Sequence, residues 1–260
     1  MHVRPKKHLG QHFLKNPHTA DRIVQSLTHW GNYGCLLEIG AGTGVLTQRL
    51  LRDTRFALKV VEIDHESVDY LKKELRLPDE QLIVADFLTL DLSSFAQPTL
   101  GLIGNLPYNI SSPIFFKVFE NKHIISEMVC MVQKEVAQRI VAPPGGKTNG
   151  ILSILLQTFY HVRYLFKVGP EQFVPPPKVD SAVISLQRNE RKQLPCDEKL
   201  FVKVVKQGYN MRRKTLRNAL KPLGLPDSFT QESLFDKRAE QLSVEDFIEL
   251  TCRIAKFENL

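Results

Sequence analysis

The sequence has few of the features that mark a disulfide-stabilised, metal-bound or membrane-inserted protein. Its 260 residues include only 4 cysteines, which lie far apart, with no CxxC pair and no histidine at metal-ligand spacing. This pattern favours reduced thiols in a cytoplasmic protein and indicates no metal site. The most apolar stretch, 151–162, contains Ser153, Gln157 and His161 and is too short to span a bilayer. The N-terminus lacks the apolar segment of a signal peptide, so we expect no membrane association.

Acidic residues are also scarce relative to basic ones. The chain has 28 Asp and Glu against 35 Lys and Arg, which gives a formal net charge of +7. This excess permits a polyanionic partner such as nucleic acid without requiring one. Hydrophobic residues make up 43% and charged residues 24% of the chain, a balance that excludes an intrinsically disordered protein.

Short apolar runs alternate with helical periodicity over most of the chain. The runs with β-strand composition are 35–39, 57–63, 82–84, 100–103, 128–132, 161–168 and 179–186. Strands that alternate with helices predict βαβ units and a parallel sheet covered on both faces. After about residue 190 the periodicity is helical only. We therefore expect an α/β domain over 1–188 and a small all-helical domain over 189–260.

A glycine-rich loop follows the first apolar strand. Gly40, Gly42 and Gly44 have the spacing GxGxG, whereas a dinucleotide-binding loop has GxGxxG. Glycines at the start of a helix let a ligand approach the backbone and its free N–H groups. The spacing resembles the cofactor loop of S-adenosylmethionine (SAM)-dependent methyltransferases, although glycine-rich turns also end many strands that bind nothing.

Acidic residues end the next two strands. Glu62 follows the second strand, where a carboxylate can accept hydrogen bonds from ribose hydroxyls. Asp86 follows the third strand, where it can accept from an adenine amino group beside Phe87. Because the carboxyl ends of parallel strands meet at the ligand-binding edge of a sheet, we expect these residues in one site. Without the upstream glycines, Glu62 would be interpreted as a solvated acid. The three motifs in order predict a SAM site.

The fourth strand ends in the sequence Asn-Leu-Pro-Tyr at 105–108. It resembles the (Asp/Asn/Ser)-Pro-Pro-(Tyr/Phe) motif of amino-methyltransferases, with Leu106 in place of the first proline. The exocyclic amine of adenine is a poor nucleophile because its lone pair is delocalised into the ring. The Asn105 side-chain oxygen and the Leu106 carbonyl can accept its two N–H groups, and Tyr108 offers a face for stacking. An ordinary turn is the alternative interpretation.

Four stretches together resemble the ribosomal RNA adenine dimethyltransferase family. They are GQHFL at 10–14, EIGAGTG at 38–44, NLPY at 105–108 and FVPPPKVDS at 173–181, within a resemblance that runs from about residue 4 to residue 255. The sequence RAEQLS at 238–243 is similar to the small-subunit branch of this family. The Erm resistance methylases resemble the chain in the first domain only.

The resemblance implies a Rossmann-like class I SAM-dependent methyltransferase domain with a small all-helical C-terminal domain. Its implied reaction transfers methyl groups from SAM to N6 of two adjacent adenosines near the 3′ end of 16S rRNA, in the small ribosomal subunit or its precursor. The SAM contacts implied by the family motifs are His12, Leu14, Gly40, Gly42, Glu62, Asp86 and Asn105. The family usually has Asn at the position of His12.

The resemblance also implies the residues that handle the target base. They are Asn105, Leu106, Tyr108 and Phe173, with Tyr108 and Phe173 forming the walls that hold a flipped adenine. A lone aromatic residue near strands is also commonly a core residue, which is the alternative for Phe173. We expect no metal and assign no general base, because the sulfonium methyl group is already activated.

One stretch of the helical domain carries only basic charge. Residues 199–226 contain no Asp or Glu, and their cations are Lys199, Lys203, Lys206, Arg212, Arg213, Lys214, Arg217 and Lys221. A charge run on a helix is usually a solvated face. Beside a base-methylation motif, it predicts an RNA-binding surface that includes Arg212, Arg213, Lys214 and Arg217.

Three other functions stay open at this point. An Erm-like enzyme would act on 23S rRNA, a small-subunit assembly factor would keep the fold without catalysis, and a third possibility is a small-molecule methyltransferase. Glu62 and the intact motif at 105–108 argue against a non-catalytic protein. The basic helical domain and the Phe173 loop have no obvious use in small-molecule methylation. We expect the protein to be a monomer.

Overall fold

The computed structural model describes residues 3–258, which fall into two compact units. The first unit comprises the chain up to Ala137 together with Tyr160–Asn189. The second comprises Gln138–Phe159 together with the chain from Glu190 onward. None of the helices in 3–258 is both long and apolar enough to cross a membrane.

The first unit is built on a sheet with helices between its strands. Its strands are β1 (Phe13–Leu14), β2 (Cys35–Ile39), β3 (Ala57–Glu62), β4 (Leu82–Val84), β5 (Leu100–Asn105), β6 (Ile125–Gln133), β7 (Tyr160–Val168), β8 (Phe173–Val174) and β9 (Ser181–Arg188). Its helices are α1 (Pro17–Gln25), α2 (Thr47–Leu50), α3 (His65–Glu74), α4 (Ser111–Glu120) and the start of α5 (Lys134–Val141). The alternation expected from the sequence is confirmed.

Seven strands form the main sheet, in the order β4-β3-β2-β5-β6-β9-β7. The five strands β2 to β6 pair in parallel, whereas β9 pairs antiparallel with both β6 and β7. The prediction of a parallel sheet is therefore correct for β2 to β6 and wrong for the pairing of β9 with β6 and β7. The connection at 169–180 contains no α-helix that would return the chain for a parallel crossover.

The central strands are buried on both faces. Every residue of β2 is buried, and so is every residue of β6 except its last, Gln133. Strands with helices on both sides need such near-continuous apolar sequences, because neither face meets water. Helix α1 has a regular N-terminus, since Asn16 Oδ1 accepts a hydrogen bond of 3.2 Å from Thr19 N and Pro17 is its first residue.

The second unit is helical. Its helices are α6 (Ile151–Phe159), α7 (Glu198–Asn210), α8 (Leu216–Ala219), α9 (Asp227–Thr230) and α10 (Val244–Glu258), together with the end of α5. The predicted domain boundary after residue 188 lies beside the structural division after Asn189. The sequence predicts the segment 138–159 as part of the α/β domain, but the segment belongs to the helical unit. The reason is that its helix α6 packs against α7 and α10. A helix as apolar as α6 must be covered on several sides.

The sheet brings four loops to one edge. Strands β2, β3, β4 and β5 are parallel neighbours, so the loops that follow them lie side by side. These loops begin at Gly40, Ile63, Ala85 and Leu106. The short strand β1 lies apart from the main sheet and pairs antiparallel with β8, with Leu14 opposite Phe173. The fold therefore gathers at one edge the motifs that the sequence spreads over seventy residues or so.

Candidate active site

A cavity of about 260 Å³ lies at this edge of the sheet. It is bordered by the four strand-end loops and by the N-terminal segment at 8–14. Its lining includes each residue that the resemblance assigned to SAM: His12, Leu14, Gly40, Gly42, Glu62, Asp86 and Asn105. Leu106 and Tyr108 line it as well, whereas Phe173 does not. One concave site therefore contains every residue predicted to contact SAM or the target base, except Phe173.

The glycine-rich loop leaves room for a ligand at Gly40. Gly40 and Gly42 have φ angles of +67° and +55°, a backbone conformation that other residues rarely adopt. A Cβ atom on Gly40 would have no heavy atom within 4 Å, so the loop leaves open space at this point of the cavity wall. A Cβ on Gly42 would lie 2.7 Å from the Phe13 ring, which packs directly on the loop.

Glu62 connects the glycine-rich loop to the loop after β3. Its Oε2 accepts a hydrogen bond of 2.8 Å from Gly42 N, and its Oε1 accepts bonds of 2.9 Å from Ile63 N and Asp64 N. A carboxylate has about four acceptor positions, so roughly one is left for a ligand hydroxyl. Glu62 is buried, and this burial raises the pKa of its carboxyl group above the ordinary value.

Glu38 lies behind the glycine-rich loop and is fully buried. Its Oε2 accepts a hydrogen bond of 2.7 Å from the Thr47 hydroxyl. Burial raises the pKa of Glu38 to about 7, with a smaller contribution from the charge of Glu62. A carboxyl group that changes its protonation near neutral pH therefore lies behind this loop, outside the cavity lining.

Asp86 presents an oxygen to the cavity. Its Oδ1 accepts a hydrogen bond of 2.8 Å from Leu88 N, and none of the residues in 3–258 donates a hydrogen bond to its Oδ2. Phe87 is buried beside it and also lines the cavity. A free carboxylate oxygen beside an aromatic ring can recognise the amino group of an adenine, as the sequence predicts.

Lys117 is a residue that sequence reasoning missed, and it supports the loop that carries Asp86. Its Nζ donates hydrogen bonds to the carbonyl oxygens of Leu88, at 2.9 Å, and Leu90. It also lies 5.4 Å from the centre of the Phe87 ring. Burial lowers the pKa of Lys117. The signal in the sequence was a lysine inside the apolar part of α4, whose other charged residue is its last, Glu120.

Ile63 is a second residue that sequence reasoning missed. It lines the cavity between two acidic residues and is 49% exposed, a large fraction for an isoleucine. An exposed aliphatic side chain at a strand end provides an apolar surface for a planar base. The apolar residue between Glu62 and Asp64 was the signal in the sequence.

Asn105 has its amide orientation fixed by the N-terminal segment. Its Nδ2 donates a hydrogen bond of 2.9 Å to the main-chain carbonyl of His12. A carbonyl oxygen only accepts, so the amide nitrogen must face His12. The Oδ1 atom receives no hydrogen bond within the described part of the chain. It is therefore available as an acceptor in the cavity.

Tyr108 is held at two points beside Asn105. Its hydroxyl group is hydrogen-bonded to Ser181 Oγ at 2.5 Å, and its ring stacks on His12 with 5.3 Å between centroids and 29° between planes. The His12 Nδ1 donates a hydrogen bond of 2.8 Å to the Pro175 carbonyl. The imidazole that was expected at SAM thus contacts Tyr108 and the 173–181 loop, while contact with SAM stays a prediction.

Phe173 is a core residue, which corrects its predicted position. Its side chain is 1% exposed and packs in the apolar cluster that includes Leu14, Val168 and Val183. The pairing of β8 with β1 places it opposite Leu14 and away from the cavity. The alternative interpretation of Phe173, as a core residue, is therefore the one that the structure supports.

The predicted RNA-binding residues divide into two pairs. Arg212 forms an ion pair of 2.8 Å with Glu240, and Arg217 forms one of 2.8 Å with Asp236. Arg213 and Lys214 are exposed, and neither forms an ion pair or hydrogen bond through its side chain with any residue in 3–258. Acidic side chains of the helical unit therefore hold Arg212 and Arg217, whereas RNA contacts by Arg213 and Lys214 stay a prediction.

The cavity fits SAM by the chemistry of its lining. Gly40 leaves space at the wall, Asp86 offers an unused acceptor and Ile63 offers an exposed apolar surface. No group of three or more His, Cys, Asp or Glu side chains within 3–258 is arranged to hold a metal ion. The fold and this cavity define a class I SAM-dependent methyltransferase.

The chain belongs to the ribosomal RNA adenine dimethylase family, whose model matches residues 3–256. It is 54% identical to the ribosomal RNA small subunit methyltransferase A of Cytophaga hutchinsonii over 249 residues, and these residues make up 96% of each chain. The protein of the same name from Bacteroides thetaiotaomicron is 52% identical over 254 residues, which cover 97% of this chain and 94% of that one. The predicted family, enzyme class and cofactor are confirmed.

Solved structures agree with this family. The dimethyladenosine transferase from Plasmodium falciparum superposes with a TM-score of 0.76 at 26% identity, over 94% of this chain and 98% of that one. The 23S rRNA methyltransferase ErmE superposes with a TM-score of 0.61 at 23% identity, over 91% of this chain and 98% of that one. The likeness to ErmE shows the shared fold only. The predicted fold class, a Rossmann-like α/β domain with a helical C-terminal part, is confirmed.

Proposed function

We propose that this enzyme dimethylates N6 of two adjacent adenosines in a hairpin near the 3′ end of 16S rRNA. Its substrate is the small ribosomal subunit or a precursor of it, and the modification contributes to ribosome biogenesis. The relatives at 54% and 52% identity carry the name of a small-subunit rRNA methyltransferase, which supports this choice of subunit. The family description supports adenine as the base and two methyl groups as the product.

The observation that carries the proposal is the free Oδ1 atom of Asn105. Its amide nitrogen is committed to the His12 carbonyl, so the oxygen is fixed as an acceptor at the cavity. An acceptor at this position can take an N–H of the target amine and orient its lone pair. The Leu106 carbonyl is expected to take the second N–H. Such fixed positioning can supply much of the rate enhancement of a methyl transfer.

Tyr108 provides the stacking face for the target adenine. Its ring lines the cavity and is fixed from behind by the stacked His12. When bound, SAM supplies a methyl group on a sulfonium that needs no further activation. The residues of the chain therefore bind and orient, and we assign no side chain as general base. Glu62 and Asp86 hold the cofactor by its ribose and adenine.

Exposed cations of the helical unit bind the RNA backbone. The side chains of Arg213 and Lys214 are exposed without ion-pair or hydrogen-bond partners among the described residues, and Lys199 and Lys203 are exposed one turn apart on α7. Residues 199–226, which carry these cations, contain no Asp or Glu. A basic stretch of this kind favours contacts with phosphate. We also propose that the enzyme acts as a monomer in the cytoplasm, where ribosomal subunits are assembled.

The decisive experiment methylates purified subunits separately. Small and large bacterial subunits that lack the modification are incubated with the enzyme and isotope-labelled SAM, and the labelled nucleosides are identified by mass spectrometry. We expect N6,N6-dimethyladenosine in two adjacent positions of 16S rRNA only. Label in 23S rRNA would indicate an Erm-like enzyme instead.

A catalytically impaired variant separates chemistry from binding. Asn105→Ala is tested beside the wild-type enzyme for subunit binding and for methyl incorporation. We expect the variant to bind subunits and to transfer methyl groups poorly. If the wild-type enzyme binds small subunits without transferring a methyl group, the non-catalytic assembly factor is the correct function.

A further inference from the structure

The hydrogen bond between Tyr108 and Ser181 joins the active-site loop to the far side of the sheet. Tyr108 follows β5, whose neighbour on this side is β6, whereas Ser181 begins β9 on the other side of β6. The two oxygens lie 2.5 Å apart. The side chain of Tyr108 therefore reaches across a whole strand to find its partner.

Ser181 is a rigid partner. It is fully buried, and its backbone is opposite Gln133 of β6 on one side and Val168 of β7 on the other. A residue held in a sheet between two strands has little freedom to move, and serine has a short side chain. Among the described residues, Tyr108 is the one side chain that hydrogen-bonds to this hydroxyl group. The contact fixes the outer end of the Tyr108 ring relative to the sheet.

We propose that Ser181 is a positioning residue for methyl transfer, which acts by fixing the Tyr108 ring at the angle the target base requires. The inference rests on the proposed function, in which Tyr108 stacks on that base. The stacked His12 blocks one face of the ring, and the Ser181 bond prevents the ring from swinging toward the cavity or away from it. The remaining face is thus presented at one distance from the Asn105 oxygen.

Two single variants and their combination test this inference. Ser181→Ala removes the hydroxyl from the sheet, and Tyr108→Phe removes the hydroxyl from the ring while keeping the stacking face. We expect each change to slow single-turnover methylation of small subunits about three- to tenfold, the effect of one neutral hydrogen bond. The double variant is expected to be no slower than either single variant, because both remove the same contact.

Ser185→Ala is the matched control. Ser185 lies four residues further along β9 on the same face and is also buried, but no hydrogen bond joins it to Tyr108. We expect its methylation rate to equal that of the wild type. SAM affinity by calorimetry and the melting temperature are measured for every variant, and both are expected to stay near wild-type values for Ser181→Ala.

Several outcomes overturn the inference. A wild-type rate for either Ser181→Ala or Tyr108→Phe does so, and so does an additional, multiplicative loss in the double variant. If Ser181→Ala fails to fold, Tyr108→Phe alone decides, since its hydroxyl is only partly buried. Failure of the proposed function is recognised separately, because wild-type enzyme would then methylate no small subunits at all.

Discussion

The side-chain amide of Asn105 donates a hydrogen bond to the main-chain carbonyl of His12, 2.9 Å away. These residues are 93 positions apart in the chain. The contact holds the N-terminal segment against the end of β5 and turns the amide oxygen toward the cavity. One hydrogen bond thus both holds the N-terminal segment at the cavity and leaves the amide oxygen of Asn105 as a free acceptor there.

We expect Asn105→Ala to lower the methyl-transfer rate by roughly 10²-fold, because the target amine loses the acceptor that orients it. SAM affinity is expected to fall by a smaller factor, since Asn105 also lines the cofactor cavity. RNA affinity should change least. Single-turnover kinetics with both substrates saturating measure the effect.

Asn109→Ala serves as the control for this change. Asn109 makes a similar contact, since its Nδ2 donates a hydrogen bond of 3.2 Å to the His8 carbonyl. It tethers the same segment but stands outside the 105–108 motif. We expect it to retain most of the activity. Equal losses in the two variants would mean that the tether matters and the Asn105 oxygen does not.

We expect Glu62→Gln to weaken SAM binding by about 1.5–3 kcal/mol, the value of one hydrogen bond to a charged acceptor. Three of the acceptor positions of Glu62 already accept hydrogen bonds from main-chain N–H groups, so one position is left for a hydroxyl group of the ligand. Calorimetric titration with SAM measures the change. Glu66→Gln, at the exposed start of α3, is the control and should bind SAM normally. Unchanged affinity in a folded Glu62→Gln variant would remove the ribose assignment.

The stability of the protein should depend on pH through Glu38. Burial raises the pKa of Glu38 from 4.5 to about 7, so between these values the folded protein binds more protons than the unfolded chain. The contribution of Glu38 to the free energy of unfolding therefore falls as pH rises through this window and stays low above pH 7. At pH 8.5 the ionised group destabilises the fold by up to roughly 3 kcal/mol.

Glu38→Gln removes this dependence, because an amide does not titrate and still accepts a hydrogen bond from Thr47. We expect the melting temperature of the variant to exceed that of the wild type at pH 8.5 and to approach it at pH 5. Thermal melts at both pH values, without SAM, measure the two gaps. A gap that is the same at pH 5 and pH 8.5 would show that Glu38 does not titrate near neutrality.

The sequence predicts the strand-end residues well and the contacts between distant segments poorly. Gly40, Glu62 and Asp86 each follow an apolar run, and parallel strands bring such positions together without further information. The bond from His12 to Pro175 joins residues 163 apart, and no local pattern encodes it. The same holds for Phe173, whose burial depends on its pairing with β1.

Charge patterns have the same limit. Arg212 and Arg213 are adjacent and equally basic, but only Arg212 meets an acid, Glu240, from another segment of the unit. An acid-free stretch of sequence therefore does not predict which of its cations are free. The missing information is the tertiary packing, which decides the direction of each side chain.

We expect the double change Arg213→Glu and Lys214→Glu to weaken binding to small subunits without lowering the melting temperature. Both side chains are exposed, and neither makes an intramolecular ion pair with any described residue. Each lost phosphate contact should reduce the slope of log K against log salt by about 0.7–0.9. Binding titrations at several salt concentrations measure the slope, and SAM affinity should not change.

Arg212→Glu provides the contrast to this double change. It breaks the ion pair with Glu240 and should lower the melting temperature. If the double variant Arg213→Glu, Lys214→Glu has the wild-type slope of log K against log salt, these two residues belong to an ordinary solvated surface.

Phe173→Ala should destabilise the fold by about 3–5 kcal/mol, the cost of a large cavity in a packed core. The ring is 1% exposed and its loss empties the space between Leu14 and the main sheet. Val174→Ala is the control, because the adjacent Val174 is 44% exposed and should tolerate the change. Chemical denaturation measures the stability of each variant, and methylation kinetics are measured on the folded protein. If Phe173→Ala keeps wild-type stability and loses methyl transfer, the ring reaches the target base after all, and the burial seen here would have to open when RNA binds.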